Sequence, residues 1–314
     1  MYQFEIIPDT ACDLTAELRE RFGIRDYLRG IMYYPDGREV QLSLDWELMS
    51  AKEYYDSMKG RKALYTTATP PLGDIYEIFE KHLKEGRDVL SISLSGGLSA
   101  SYANTEKVAE DLRTKYPDRK IICVDSMRYS TSLALLVIEA CIKREEGKSI
   151  EEVADYINEI RHTVHQIGSM DDLFFLVKTG RVTNFKAFFG QMIGLNLLAD
   201  FNHNGMAEVI GKCKGQRDAF DAAVDYMEKT IENPLDQIVF VAYTNRDAAA
   251  RLLADKIRER IKPKELIVNT VGMACGATIG PGMCATFYRG KPISENLAEE
   301  KALMDQIMAS IQQK

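Results

Sequence analysis

The stretch from Val89 to Tyr102 sets the tightest limit on how this chain folds. Val89–Leu94 has the apolar run of a buried strand, Ser95-Gly96-Gly97 breaks it, and a helical pattern runs from about Ser101 to Leu112. A strand that empties through small residues into a helix is a βα unit. The pattern occurs twice more. Phe4–Ile7 runs into Pro8-Asp9-Thr10 and a helix over Leu14–Phe22, and Ile121–Val124 runs into Asp125-Ser126 and a helix over Leu133–Glu145. Three strands that end in hydroxyl or carboxylate residues and feed helices predict an α/β fold with an N-terminal, mostly parallel Rossmann-like sheet. Its site is expected at the carboxyl edge of the strands.

The remaining segments fill in two domains. Asp13 or Thr10 is expected to cap the first helix and Gly23 to close it, and Pro35-Asp36-Gly37 predicts a hairpin between a strand near Tyr27–Tyr34 and Glu39–Leu42. Ser50–Glu53 and Ser149–Glu152 have the spacing of capping boxes, the second opening a helix to about Val164. Beyond Gly147 the pattern changes: Asp171–Val177 reads as a strand and Phe185–Met192 as a helix. Leu195–Phe201 and Ala207–Cys213 read as strands joined through Asn204-Gly205. Helices over Asp218–Ile231, Arg246–Ile261 and Ser294–Ile311 alternate with strands over Gln237–Tyr243, Glu265–Val271 and Cys284–Tyr288. The expectation is an α/β domain over 1–160 and an α+β domain with a mixed or antiparallel sheet over 161–314.

Composition narrows the function classes. The 314 residues carry a formal net charge of −7 and no basic run, which argues against a nucleic-acid partner. No apolar run reaches the roughly 20 residues a membrane span needs, and the start of the chain lacks a signal-peptide plan, so a cytoplasmic protein without stable membrane insertion is expected. The six cysteines form no CxxC pair and read as buried thiols, and His162 and His165 read as a solvated helix face, so no metal site is expected.

The Ser95–Ser101 loop gathers hydroxyls and backbone N–H groups at a helix start, where the dipole favours an anion. The plainer reading is a turn with Ser99 as N-cap. A hydrolase built on Ser99 or Ser95, or phosphoryl transfer through Asp125, lacks a neighbouring histidine, a Gly-x-Ser-x-Gly elbow and a phosphate-cradling lysine loop. Asp9 and Asp125, at strand ends, read as organisers of the loops. Phe174-Phe175-Leu176 and the run Phe185–Ile193 supply apolar area for a domain core or for an acyl chain, whose methylenes each gain roughly 0.8 kcal/mol on burial.

Six motifs, in order along nearly the whole chain, resemble the DegV family of bacterial fatty-acid-binding proteins. They are Asp9-Thr10 with Asp13-Leu14; Thr67-Ala68-Thr69-Pro70; Leu98-Ser99-Ala100-Ser101-Tyr102; Asp125-Ser126; Leu176–Arg181; and Gly280-Pro281-Gly282. The resemblance implies a non-enzymatic lipid-binding protein with no cofactor beyond a long-chain fatty acid, whose tail lies in a buried tunnel between the two domains. The carboxylate is then held by Thr67 and Ser99, with Ser95, Gly97, Ala100 and Thr278 around it. It further implies a carrier that presents the carboxylate to a partner, the kinase subunit of a fatty acid kinase, with Arg181 and Lys214 facing the phosphate or the partner. The chain departs from the family pattern at Ala68 and Thr69, which replace Ser and Gln. It departs again at Leu198-Ala199, where the family has Lys-Pro, and at Thr278, where it has His. A threonine there donates one hydrogen bond but carries no charge. A different small carboxylate is the alternative ligand.

Overall fold

The computed structural model of the chain describes residues 3–183 and 195–313. These divide into two compact units: residues 1–50, 63–161 and 272–275 form the first, and 51–62, 162–271 and 276–314 the second. Two short segments, 51–62 and 272–275, thus belong in space to the unit that does not surround them in sequence. The expected helix over Phe185–Met192 lies outside the described residues.

In the first unit β1 (Phe4–Pro8) leads through a 3-10 turn (Thr10–Cys12) to α1 (Ala16–Arg21). The capping differs from the expected one. Asp9 caps the 3-10 turn by accepting from Ala11 N, and Thr15 caps α1 by accepting from Leu18 N. Asp13 instead occupies the left-handed region at φ 53° between the two, which frees its carboxylate for other work. The hairpin β2 (Ile31–Tyr33) and β3 (Glu39–Gln41) forms as expected, and α2 (Ala51–Met58) follows as part of the second unit.

The hydroxyl-rich segment then becomes β4 (Thr66–Ala68), an edge strand antiparallel to β2 that pairs Thr67 with Met32. After α3 (Leu72–Lys84), the strands β5 (Asp88–Ser93) and β6 (Ile121–Asp125) enclose α4 (Ser101–Lys115). The parallel sheet runs in the order β1-β5-β6. Ile7, Val89, Ile121 and Cys123 bury one face under Ile75, Phe79 and Leu83 of α3 and Val108 and Leu112 of α4. The alternate residues Ile6, Leu90, Ile92 and Val124 are buried as well. By the two-residue period they face the other side, where α5 (Thr131–Glu145) and α6 (Ile150–Ile160) pack. The Ser149–Glu152 capping box forms as read.

Helix α6 stops at Ile160, short of Val164, because the chain turns through Arg161–Thr163 into β7 (Val164–Met170), the strand the sequence reading missed. Alternation buried–intermediate along β7 marks it as a sheet strand, and His165 falls on its buried side. Asp171–Val177 is not a strand: α7 (Phe174–Thr179) occupies it and Gly180, at φ 70°, closes it. There Asp172 Oδ1 accepts from Phe174 N at 2.8 Å, starting a helix that apolar content alone disguised as a strand. The rest of the unit comprises β8 (Val182–Thr183), β9 (Leu195–Phe201), β10 (Ala207–Lys214), α8 (Gln216–Thr230), β11 (Ile238–Tyr243) and α9 (Asp247–Arg260). They are followed by β12 (Glu265–Thr270), α10 (Met273–Ile279), β13 (Met283–Arg289) and α11 (Ala298–Gln312).

The seven-stranded sheet runs β12-β11-β13-β7-β9-β10-β8 and is mixed: β11/β12 and β8/β10 pair parallel, the others antiparallel. The core of this unit combines Ile167, Leu198, Val239 and Val241 with Phe220, Tyr226 and Met227 of α8, Leu253 and Ile257 of α9 and Met304 of α11. A smaller cluster joins Leu173 and Leu176 to Leu197 and Val209. No helix among the described residues is long and apolar enough to cross a membrane.

Candidate functional site

Carboxylates at the ends of β1 and β6 shape the loops of the first unit. Asp9, fully buried, accepts from Ala11 N at 2.9 Å and from Leu94 N at 3.0 Å, tying the end of β1 to the end of β5. Burial pushes its carboxyl up to about 6, against the pull of those two bonds. Asp125 accepts from Gly96 N with both oxygens, at 3.0 and 3.1 Å, and from Met127 N at 3.0 Å. A Cβ on Gly96 would stand 2.5 Å from Asp125 Oδ2, so only glycine allows this approach. Both residues organise loops, as their positions at strand ends led us to expect.

The Ser-rich loop then closes on itself. Ser95 is buried; its N–H donates to Arg128 O at 2.9 Å, its hydroxyl accepts from Gly97 N at 3.1 Å, and its carbonyl accepts from Leu98 N and Ser99 N. This revises the sequence reading in a specific way. The N–H groups of Gly96, Gly97, Leu98, Ser99 and Ser101 all have acceptors within the protein, so the loop is not an open nest of amides. The N-cap position of α4 is Ala100, exposed and without a side-chain cap, and Ser99 precedes it. Ser99 Oγ accepts from Ser101 N at 3.2 Å and lies 3.0 Å from the buried Ser101 Oγ. The Ser101 amide therefore donates to the Ser99 oxygen, while in the contact between the two hydroxyls either one can donate to the other.

Thr67 stands exposed on β4, and among the described residues its hydroxyl has no hydrogen-bond partner. Two residues on, Thr69 Oγ1 accepts from Asn104 Nδ2 at 2.9 Å, which ties the Thr67–Pro70 segment to the first turn of α4. In the first unit Ser95, Gly97, Ser99 and Ala100 lie on the loop between β5 and α4, while Thr67 lies on β4, whose following segment is tied to α4 through Thr69. Thr278, Arg181 and Lys214 belong to the second unit. Thr278 is half-buried on α10, two residues before Gly280. Arg181 is exposed just past α7; its N–H donates to Leu176 O at 2.9 Å and its guanidinium to Thr179 O, so it closes the helix end. Lys214 is the exposed last residue of β10.

Three residues passed over in the sequence belong with this site: Ser101, Asn104 and Arg128. Arg128 is fully buried and donates Nη1 to Met127 O at 2.7 Å. An arginine between a strand-end Asp-Ser and a run of small residues was the available signal for it.

The histidines serve elsewhere. His82 lies between Asp26 Oδ2, at 2.9 Å, and Arg87 Nη2, at 3.0 Å. His165, expected on a solvated helix, is buried on β7 with Nδ1 2.7 Å from Asp200 Oδ2 and Nε2 2.9 Å from Lys291 O. His162 stacks on His203 with ring centroids 4.1 Å apart. All six cysteines are buried free thiols.

The sequence profile described as "Uncharacterised protein, DegV family" matches residues 3–291. The chain belongs to the DegV family. A DegV domain-containing protein of Clostridium perfringens is 28% identical over 290 residues, covering 92% of this chain and 98% of the relative. Among solved structures, a DegV family protein from Thermus thermophilus, described by its fatty acid binding, superposes with a TM-score of 0.82 at 24% identity, covering 92% of this chain and 100% of the other. A DegV family protein from Eubacterium eligens loaded with heptadecanoic acid gives 0.78 at 20% identity, with 92% and 100% covered. At such identities the superpositions establish a shared fold.

Proposed function

We propose that this DegV family protein binds a long-chain fatty acid, its carboxylate held by the hydroxyls of Thr67 and Ser99 and its tail shielded from water in a buried tunnel. The observation that carries the reading is a pair of hydroxyls, on β4 and on the β5–α4 loop, in segments that the Asn104–Thr69 bond ties together. Among the described residues the Thr67 hydroxyl has no hydrogen-bond partner, and the Ser99 hydroxyl is held in place by the amide and hydroxyl of Ser101. Two short hydroxyls donating to one carboxylate give directional, charge-assisted bonds. Ser95, Gly97 and Ala100 lie on the loop that carries Ser99. The fatty acids described for the Thermus thermophilus and Eubacterium eligens relatives support the ligand class.

The protein acts as carrier or presenter rather than catalyst. Among the described residues Ser99 pairs with a serine and not with a histidine, the oriented base that a serine nucleophile requires. A partner kinase would then act on the presented carboxylate, with the exposed cations Arg181 and Lys214 available to it or to the transferred phosphate.

The test is organic extraction of the purified protein followed by mass spectrometry, with palmitate titrations of Thr67→Ala and Ser99→Ala. A copurified long-chain acid and weakened palmitate binding in both variants are expected. A protein that carries no acid, and whose palmitate affinity ignores both substitutions, overturns the proposal.

A further inference from the structure

Thr67 and Ser99 belong to different sheets: one on the edge strand of the small β3-β2-β4 sheet, the other on the loop between β5 and α4 of the parallel sheet. Something must set the spacing between their hydroxyls, because a site built from two loops binds a small head group only as well as the loops are fixed. We propose that Asn104 is the positioning residue that does this, acting through Thr69; the inference rests on the head-group reading above.

Asn104 occupies the first turn of α4, with its N–H donating to Ala100 O at 2.9 Å, so its backbone moves with the Ser99–Ser101 turn. Its Nδ2 donates to Thr69 Oγ1 at 2.9 Å. Pro70 confines Thr69 to extended backbone. In extended chain, residues two apart project to the same side. Pinning the Thr69 side chain on α4 therefore turns the Thr67 hydroxyl toward the same helix start that carries Ser99. A second approach supports the strand from the other side: Ala68 O lies where a Cβ on Gly30 would be 2.8 Å away, and Gly30 N donates to Thr10 Oγ1 at 3.3 Å. That contact holds the backbone of β4, whereas the Asn104 bond is made to a side chain two residues from Thr67. The pairing also gives a use to Thr69, which stands where the family pattern has Gln.

A brace of this kind acts on the carboxylate and leaves the tail alone, which separates it from a merely structural bond. The experiment compares palmitate with hexadecanol, the same tail without the carboxylate, by displacement of a fluorescent acyl probe from the full chain. Asn104→Ala and Thr69→Ala are each expected to weaken palmitate about three- to tenfold, the worth of one net hydrogen bond, with hexadecanol unchanged. The double variant is expected to be no weaker than either single one, because both remove the same bond. Thr69→Ser keeps the hydroxyl and is expected to retain wild-type palmitate affinity. Equal losses for palmitate and hexadecanol, additive losses in the double variant, or a Thr69→Ser as weak as Thr69→Ala overturn the brace. Palmitate affinity unmoved in Asn104→Ala but lowered in Thr67→Ala and Ser99→Ala overturns the brace and leaves the head-group site standing. Affinity unmoved in all four single alanine variants overturns both.

Discussion

Replacing Asp13 by asparagine should make this protein more stable at slightly alkaline pH, although it removes a buried, doubly hydrogen-bonded carboxylate. Asp13 is 5% exposed; Oδ1 accepts from Gly272 N at 2.9 Å and Oδ2 accepts from the Ser130 hydroxyl. Burial is the largest influence on it and pushes the carboxyl from its ordinary 3.8 to about 7, against both hydrogen bonds and with help from the nearby Asp9. A carboxyl that holds its proton more tightly folded than unfolded stabilises the fold while protonated. That contribution is whole below about pH 4 and is lost as pH rises through 7. From 3.8 to about 7 the full effect is roughly 4 kcal/mol. About 3 kcal/mol of it falls between pH 5 and 8. Asp9, pushed to about 6, adds a slope of the same sign that ends one pH unit lower.

Asparagine keeps the shape: its carbonyl accepts from Gly272 N and its amide donates to Ser130 Oγ, with no proton to lose. The assay is urea unfolding of wild type and Asp13→Asn at pH 5, 6, 7 and 8, followed by far-UV circular dichroism. The two should agree near pH 5 and diverge steadily, the variant ahead by roughly 3 kcal/mol at pH 8. Between pH 6 and 7 the wild type should lose about 1 kcal/mol that the variant keeps. Parallel curves with a constant offset, or a wild type that gains on the variant as pH rises, would refute the assignment of Asp13 as a carboxyl protonated by burial.

Gly280→Ala should destabilise by about 3 kcal/mol or more in thermal or urea unfolding, since φ is +74° and the new Cβ would lie 2.1 Å from the Phe175 ring; a change under 1 kcal/mol would mean that Phe175 moves freely aside. Ser149→Ala should cost about 1 kcal/mol by urea unfolding, as it removes one half of the capping box of α6. Asp200→Asn should cost about 3 kcal/mol or more, because Asp200 accepts from Gln166 N, Phe201 N and Tyr226 and faces His165 at 2.7 Å in a fully buried cluster. Gly96→Ala should weaken palmitate binding in the same titration used for Ser99→Ala, since its Cβ displaces Asp125 from the loop amides; unchanged affinity would separate Asp125 from the site.

What was legible in the sequence was whatever local chemistry dictates. The three βα units, the hairpin after Pro35-Asp36-Gly37, the capping box at Ser149 and the β9–β10 hairpin rest on periodicity and on residues with narrow conformational ranges. The misreadings fall where tertiary partners decide. Strand β7 has an irregular pattern because its polar residues, His165 among them, are satisfied by β9, α8 and the Lys291 carbonyl. Helix α7 is short and apolar and so imitates a strand, and α10, from Met273 to Ile279, follows β12 after a two-residue break with no capping residue to announce it. At the site, the hydroxyl residues were visible and their wiring was not. No spacing rule shows that Ser99 is bonded to Ser101, or that Asn104 reaches Thr69 across 35 positions.

That wiring changes what kind of anion site this is. A helix start with free amides attracts any small anion through its dipole and N–H groups. Here the loop amides from Gly96 to Ser99 are taken by Asp125, by the Ser95 hydroxyl and by the Ser95 carbonyl, and the amide of Ser101 by Ser99. The proposed head-group donors are therefore hydroxyls, Thr67 and Ser99 in the first unit, rather than those amides. Hydroxyls carry no charge, so a carboxylate held this way is held by direction and distance rather than by field strength, and most of the affinity must come from elsewhere. An acyl chain supplies it, at roughly 0.8 kcal/mol for each buried methylene. Acetate or phosphate should then bind far more weakly than palmitate, because neither brings a tail and the two hydroxyls that hold the head group are neutral. Titration of the purified protein with acetate, phosphate and palmitate at low and high salt checks this. Millimolar or tighter phosphate binding that fades with salt would return the loop to the class of dipole-driven anion sites.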